Sequence, residues 1–230
     1  MKKFLAILVL IFFIITTSIS LEFYECSKNV VVEGPPTVVD YVDAQIAIKR
    51  TVDLLEEHGY YKPLRGKLVF DQDPLGNFKD ETQMGYTIGA TRTAYIRSYA
   101  NLNALNSDHF YNTNNLYKYH AFNRSIMVHE LTHVVLFYHN VRGTAIHEFA
   151  AYYFGLLSLP PKLMHKILEA NKEAVAFDSE KSAFCPLWYF VGYYPAVQAY
   201  LYWKKQTPEE RKILFKKIVD CKFIQRSIGE

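Results

Sequence analysis

Cysteine is scarce in this chain, and the three that occur, Cys26, Cys185 and Cys221, show no C-x-x-C spacing. That argues against a zinc site built on paired thiolates. Excess charge is missing too: 26 Lys and Arg face 23 Asp and Glu, a net charge of +3. So balanced a chain lacks the basic excess that marks a nucleic-acid-binding surface, so nucleic acid is not the expected partner. There is no repeat and no low-complexity tract, which leaves a globular composition. One long apolar run occurs near the start, Phe4 to Ile15, close to the short limit for a membrane span of about 20 residues.

That run follows Met1-Lys2-Lys3 and precedes Ser18-Ile19-Ser20. A basic start, an apolar centre and small residues at a cleavage point make an export signal. Residues 1–20 therefore read as a signal peptide, and the protein as exported to a periplasmic or extracellular space. The alternative is an uncleaved membrane anchor over residues 4–20. Phe23-Tyr24-Glu25 before Cys26 is not a lipoprotein cleavage site. Removal of residues 1–20 takes away Lys2 and Lys3 and leaves a net charge of +1. The remainder suffices for one domain with a sizeable core. It divides into an irregular N-terminal arm over 21–36, ending at Gly34-Pro35-Pro36, and a single domain over 37–230. An oxidising compartment permits one disulfide among the three cysteines. The pairing stays open, although Cys185 and Cys221 flank two predicted helices. The 18 Tyr suit half-buried surfaces that keep a polar tip in water.

What the chain does have is Val128-His129-Glu130-Leu131-Thr132-His133-Val134-Val135. On a helix, residues four apart lie on one face, about one turn from each other. His129 and His133 so placed can share one Zn²⁺ at about 2.0–2.1 Å. Glu130 is rotated about 100° off that line, within reach of a water beside the metal. Roughly two chains in a hundred of this composition carry H-E-x-x-H by chance, so its surroundings matter. Ile126, Met127, Val128, Leu131, Val134, Val135 and Leu136 wrap the polar trio in apolar surface. Burial there costs energy unless the trio finds partners.

A catalytic zinc takes a third protein ligand and keeps one position open. A turn at Asn140 to Gly143 ends the first helix, and Thr144 then reads as the N-cap of a second one that runs towards Leu157. Glu148 falls in its first turns. His147 is its rival as third ligand, and His139, near the end of the first helix, is a weaker one.

His129-Glu130-Leu131-Thr132-His133 followed by Ala145-Ile146-His147-Glu148-Phe149-Ala150 resembles the gluzincin metallopeptidases, the thermolysin-like group and its small relatives. The resemblance covers about Ala94 to Tyr202, with a shorter spacer than thermolysin has, and its two helical motifs are the specific part. The metzincin continuation is absent. The resemblance implies one Zn²⁺ on His129, His133 and Glu148, with Glu130 as general base. It implies that Ala150, two residues after the third ligand, lets the helices pack closely. It also implies an edge strand that pairs with extended peptide, placed here in Thr93 to Tyr99 with Thr93, Ala94, Tyr95 and Ile96 as the contacts. Tyr193 or Tyr194, beside Pro195, would hydrogen-bond the oxyanion. The expected activity is that of an exported zinc peptidase acting on peptide or protein. Endopeptidase action is favoured, since no acidic Gly-x-x-Glu-Asn-like motif is present to hold a free amine. Two other classes stay open: an exported zinc-binding interaction module without turnover, and a structural or adhesive protein with its histidines in a plain core.

The expected fold class is α+β and zincin-like, a small mixed or antiparallel sheet followed by a mostly helical half. Asp40 as N-cap with Asp43 at N3 opens a helix whose Tyr41, Ala44, Ile48, Val52 and Leu55 form a core face, up to His58-Gly59. His58 is expected as a C-terminal cation. Gly66 to Phe70, Met84 to Ile88 and Arg92 to Ser98 read as strands. Asn101 to Tyr119 reads as a loop or short helix over the cleft, with His109 and His120 as surface or loop histidines. Asn123-Arg124-Ser125 opens the metal helix. Pro160-Pro161 breaks the chain before a helix from Lys162 to Asn171 with His165 in solvent, and Asp178 to Ser182 is a connector. Pro186 to Lys205 forms a helix kinked at Gly192 and Pro195. Thr207-Pro208-Glu209-Glu210 is a capping box opening a helix to about Lys222, with Ile213, Leu214, Ile218 and Val219 inward.

Overall fold

The computed structural model describes residues 29–79, 83–98, 116–170 and 200–220. Val30–Glu33 forms β1, Val38–Glu57 α1, Gly66–Phe70 β2, Gly85–Ile88 β3 and Thr93–Ile96 β4. Leu116–Tyr138 forms α2, Thr144–Leu157 α3, Pro161–Ala170 α4 and Pro208–Val219 α5. The fold is therefore α+β, as expected. Among the described residues four strands run in the order β1-β2-β4-β3. β1, β2 and β4 are mutually parallel, and β3 is antiparallel to β4. Parallel neighbours need a long crossover, and α1 supplies the one between β1 and β2. α2 packs against β3 and β4, and against α1 and α3. A helix covered on several sides needs apolar residues all round. Met127, Val128, Leu131, Val134, Val135 and Leu136 are accordingly all buried.

Several local expectations are corrected. The arm expected over 21–36 is not irregular throughout, since Val30–Glu33 pairs with β2 in the register Val30↔Gly66. Its four residues are too few for a period to show, and its partner lies beyond α1. The cap of α1 is Thr37, not Asp40: Thr37 Oγ1 accepts the Asp40 N–H at 3.1 Å and donates to Asp40 Oδ2 at 2.6 Å. Asp43 is buried and accepts from Arg124 Nε at 2.6 Å and from His120. This pairing turns the start of α1. Ala44, Ile48 and Leu55 face the core, whereas Tyr41 is exposed and Val52 only half-buried. It also explains α2, which opens at Leu116 rather than at Asn123-Arg124-Ser125. His120 and Arg124 lie one turn apart on α2 and both grip Asp43, so the extra turns are held by a tertiary contact. His120 is thus no loop histidine.

His58 is not the expected C-terminal cation. It is buried, donates from Nδ1 to Leu54 O at 2.7 Å and accepts the Tyr153 hydroxyl at Nε2, 3.1 Å away. Burial holds its pKa below the ordinary value. A depressed folded pKa contributes stability that is present above the unfolded value of about 6.5 and is lost as pH falls through the folded one. The urea midpoint is therefore expected to drop between pH 7.5 and 5.5, and to drop less in His58→Gln. Equal drops in the two proteins would contradict this.

At the other end, α4 starts at Pro161 and His165 is exposed. Thr207 and Glu210 form the expected capping box of α5, with the Thr207 N–H donating to Glu210 Oε2 at 2.7 Å. Ile213 is exposed rather than inward, because Phe215 takes the core position against Phe154, with ring centroids 5.2 Å apart. Residues 200–205 are helical. The rest of the expected helix from Pro186, the connector at 178–182, His109, all three cysteines, Tyr193, Tyr194 and the whole of 1–20 lie outside the described residues. Among the described residues no helix is long and apolar enough to cross a membrane.

Candidate metal centre

α2 sets His129 and His133 one turn apart, with their Nε2 atoms 3.1 Å from each other. The helix ends in a Schellman motif. The Val141 N–H donates to Leu136 O at 3.0 Å and the Asn140 N–H to Phe137 O at 3.0 Å, with Asn140 at φ 54°. The chain reverses through Gly143, at φ 99°, which occupies the cap position expected for Thr144. α3 then lies close against α2. A Cβ on Gly155 would stand 3.2 Å from Ser125 O and 3.4 Å from His129 Cβ, and the Ser125 hydroxyl donates to Gly155 O at 2.7 Å. Ala150 is fully buried between the helices' apolar side chains.

This approach delivers Glu148. Its Oε2 is 3.4 Å from His129 Nε2 and its Oε1 3.5 Å from His133 Nε2. Ligands at about 2.0–2.1 Å around a tetrahedral ion are about 3.3 Å from one another. The three separations bracket that edge, and the donor atoms all fall within 4.8 Å. Two imidazoles and a carboxylate form a set that binds zinc and keeps a fourth position for water or substrate. The trio fits the ion.

Electrostatics follow from burial and proximity. Burial alone would lift the Glu148 carboxyl, but the His129 hydrogen bond and the nearby imidazoles outweigh it and bring it to about 2. His129 is pulled down by burial, yet Glu148 and then Glu130 carry it above its ordinary value. Burial pushes His133 down to about 3, so it stays neutral, as a metal ligand must be.

Glu130 is buried beside the trio, turned off the ligand line. Thr87 Oγ1 on β3 lies 2.8 Å from Glu130 Oε2, to which it donates, and 3.1 Å from Glu130 O. A Cβ on Gly85 would stand 3.1 Å from Glu130 Cγ, so glycine lets β3 approach this closely. Burial pushes Glu130 up to about 7, and Glu148 adds to this against the His129 charge and the Thr87 bond.

The rival ligands have other partners. His147 donates from Nε2 to Val141 O at 2.9 Å and meets His133 on the far side of that ring, Nδ1 to Nδ1 at 3.4 Å. His139 Nε2 is 3.0 Å from the Tyr60 hydroxyl. The placement of the edge strand is corrected. Thr93, Ala94, Tyr95 and Ile96 form β4, which carries β2 on one side and β3 on the other. Among the described residues the strand at the edge beside Glu130 is β3. A hairpin partner and a parallel partner both claim β4, and period-2 patterning carries no information about that. Two residues near the trio were not anticipated. Thr87 gave no signal, since its helix partner is 43 residues away. Tyr152, with its ring centroid 4.6 Å from that of His129, stands four residues after Glu148, a spacing that places both on one face of α3.

Comparison with family models, with curated proteins and with solved structures finds no match for the chain.

Proposed function

We propose that this protein is a zinc-dependent peptidase of the gluzincin type, acting as an endopeptidase. The observation that carries the reading is the convergence of His129, His133 and Glu148 at tetrahedral spacing beside the buried Glu130. His129, His133 and Glu148 would hold one Zn²⁺. When bound, the ion supplies a Lewis acid that brings the pKa of water towards about 7 and polarises a carbonyl. Glu130 takes the proton of the attacking water and passes it to the leaving amine. Thr87 holds the carboxylate in place. Among the described residues β3 has no strand partner on its outer side, so an extended peptide is placed along Gly85–Ile88, with main-chain hydrogen bonds. Tyr193 or Tyr194 is the proposed oxyanion donor, on the resemblance alone. Residues 1–20 support export, with membrane attachment as the alternative.

Metal analysis of the purified protein, joined to hydrolysis of a mixed peptide library, tests the reading. One zinc per chain and cleavage within the peptides are expected. Absence of stoichiometric metal overturns the metal centre. Zinc without cleavage of any peptide moves the protein to the class of zinc-binding modules.

A further inference from the structure

We infer that His147 is a positioning residue that fixes the tautomer and ring plane of His133 and thereby sets zinc affinity. The inference rests on the zinc reading above and assigns a task to a histidine that the reading leaves idle. A neutral imidazole has one donor and one acceptor nitrogen. Val141 O only accepts, so His147 Nε2, 2.9 Å away, carries the hydrogen. His147 Nδ1 is then an acceptor. It faces His133 Nδ1 at 3.4 Å, so the hydrogen between them belongs to His133. That leaves the lone pair of His133 on Nε2, the atom that faces His129 and Glu148. Metal-binding histidines almost always donate their other N–H to an outer partner. Here the partner is a second imidazole rather than a carboxylate.

The surroundings hold the arrangement. The two rings are nearly parallel, 16° apart with centroids at 5.6 Å, and the Phe137 ring packs on His147 at 4.4 Å. His147 is buried, so no solvent competes for its acceptor nitrogen. Val141 belongs to the turn that closes α2. The fixed backbone of that turn therefore orients His147, and His147 orients the ligand. Sequence alone made His147 the rival of Glu148. The geometry makes it the partner of His133.

The test uses the full-length protein and two readouts. Zinc affinity is measured by competition with a chromogenic chelator in wild type, His147→Phe, His147→Gln and Glu148→Ala. Loss of such an outer partner costs about 10–100-fold in affinity, so His147→Phe should bind zinc that much more weakly, still at one ion per chain when zinc is in excess. His147→Gln, whose amide can both accept from His133 and donate to Val141, should recover most of the loss. Glu148→Ala should lose the ion. Wild-type affinity in His147→Phe, or a loss as complete as that of Glu148→Ala, overturns the assignment. The second readout is ¹⁵N NMR of the imidazoles in metal-free wild type, which needs no variant to fold. It should show His133 protonated on Nδ1 and His147 on Nε2, and the opposite pattern overturns the inference. If wild type binds no zinc at all, the metal reading fails while the NMR result still decides the His133–His147 bond.

Discussion

Glu130→Gln is expected to lower peptide hydrolysis by about 10²–10⁴-fold, the usual contribution of a positioned general base, and to leave one zinc per chain. Gln matches Glu in shape, so no cavity opens in the buried site. Thr87 Oγ1, which now donates to Glu130 Oε2 at 2.8 Å, can donate equally to the amide oxygen. Glu130 does not share the spacing of the three donors, so its removal leaves their geometry standing. The change therefore separates proton transfer from ion binding. Parallel metal analysis and peptide assays of wild type and variant check it, and undiminished turnover would refute the role of Glu130.

Glu148→Ala is expected to remove the ion. The change deletes the one negative group of the proposed ligand set and leaves two imidazole nitrogens 3.1 Å apart. Direct loss of a ligand should weaken binding by more than the roughly 100-fold that an outer partner can cost. Chelator competition would show it, and activity should disappear with the metal. A variant that still holds zinc stoichiometrically would mean that another side chain completes the set. His147 is then the first to test, since it lies on α3 one residue before Glu148. Because Glu148 sits at the packed face between α2 and α3, the variant's fold should be checked by circular dichroism.

Local spacing made the centre of this protein readable in advance. A helix is rigid, so His129 and His133 at i and i+4 share a face wherever the helix is placed, and Glu130 is turned aside by the same geometry. The capping box at Thr207 and Glu210 closes over four residues and needs nothing distant. The turn at Asn140 to Gly143 is local too, and it was enough to predict a second helix behind the first. Strand segments β2, β3 and β4 were visible as short β-rich runs bounded by turn residues.

Choices between segments far apart in the chain were another matter. Whether Glu148 or His147 meets the Nε2 atoms of the two histidines depends on the angle at which α3 docks on α2, set by the close contact at Gly155 and by the Val141 carbonyl that occupies His147. β4 became an inner strand and β3 the edge because β2 pairs with β4 across the intervening hairpin, and no residue in Thr93–Ile96 announces that. The outward turn of Tyr41 and the early start of α2 trace to one buried carboxylate, Asp43, gripped by His120 and Arg124 from about eighty residues away. Such pairings are decided by packing and desolvation summed over the folded chain, terms that a short window of sequence does not contain.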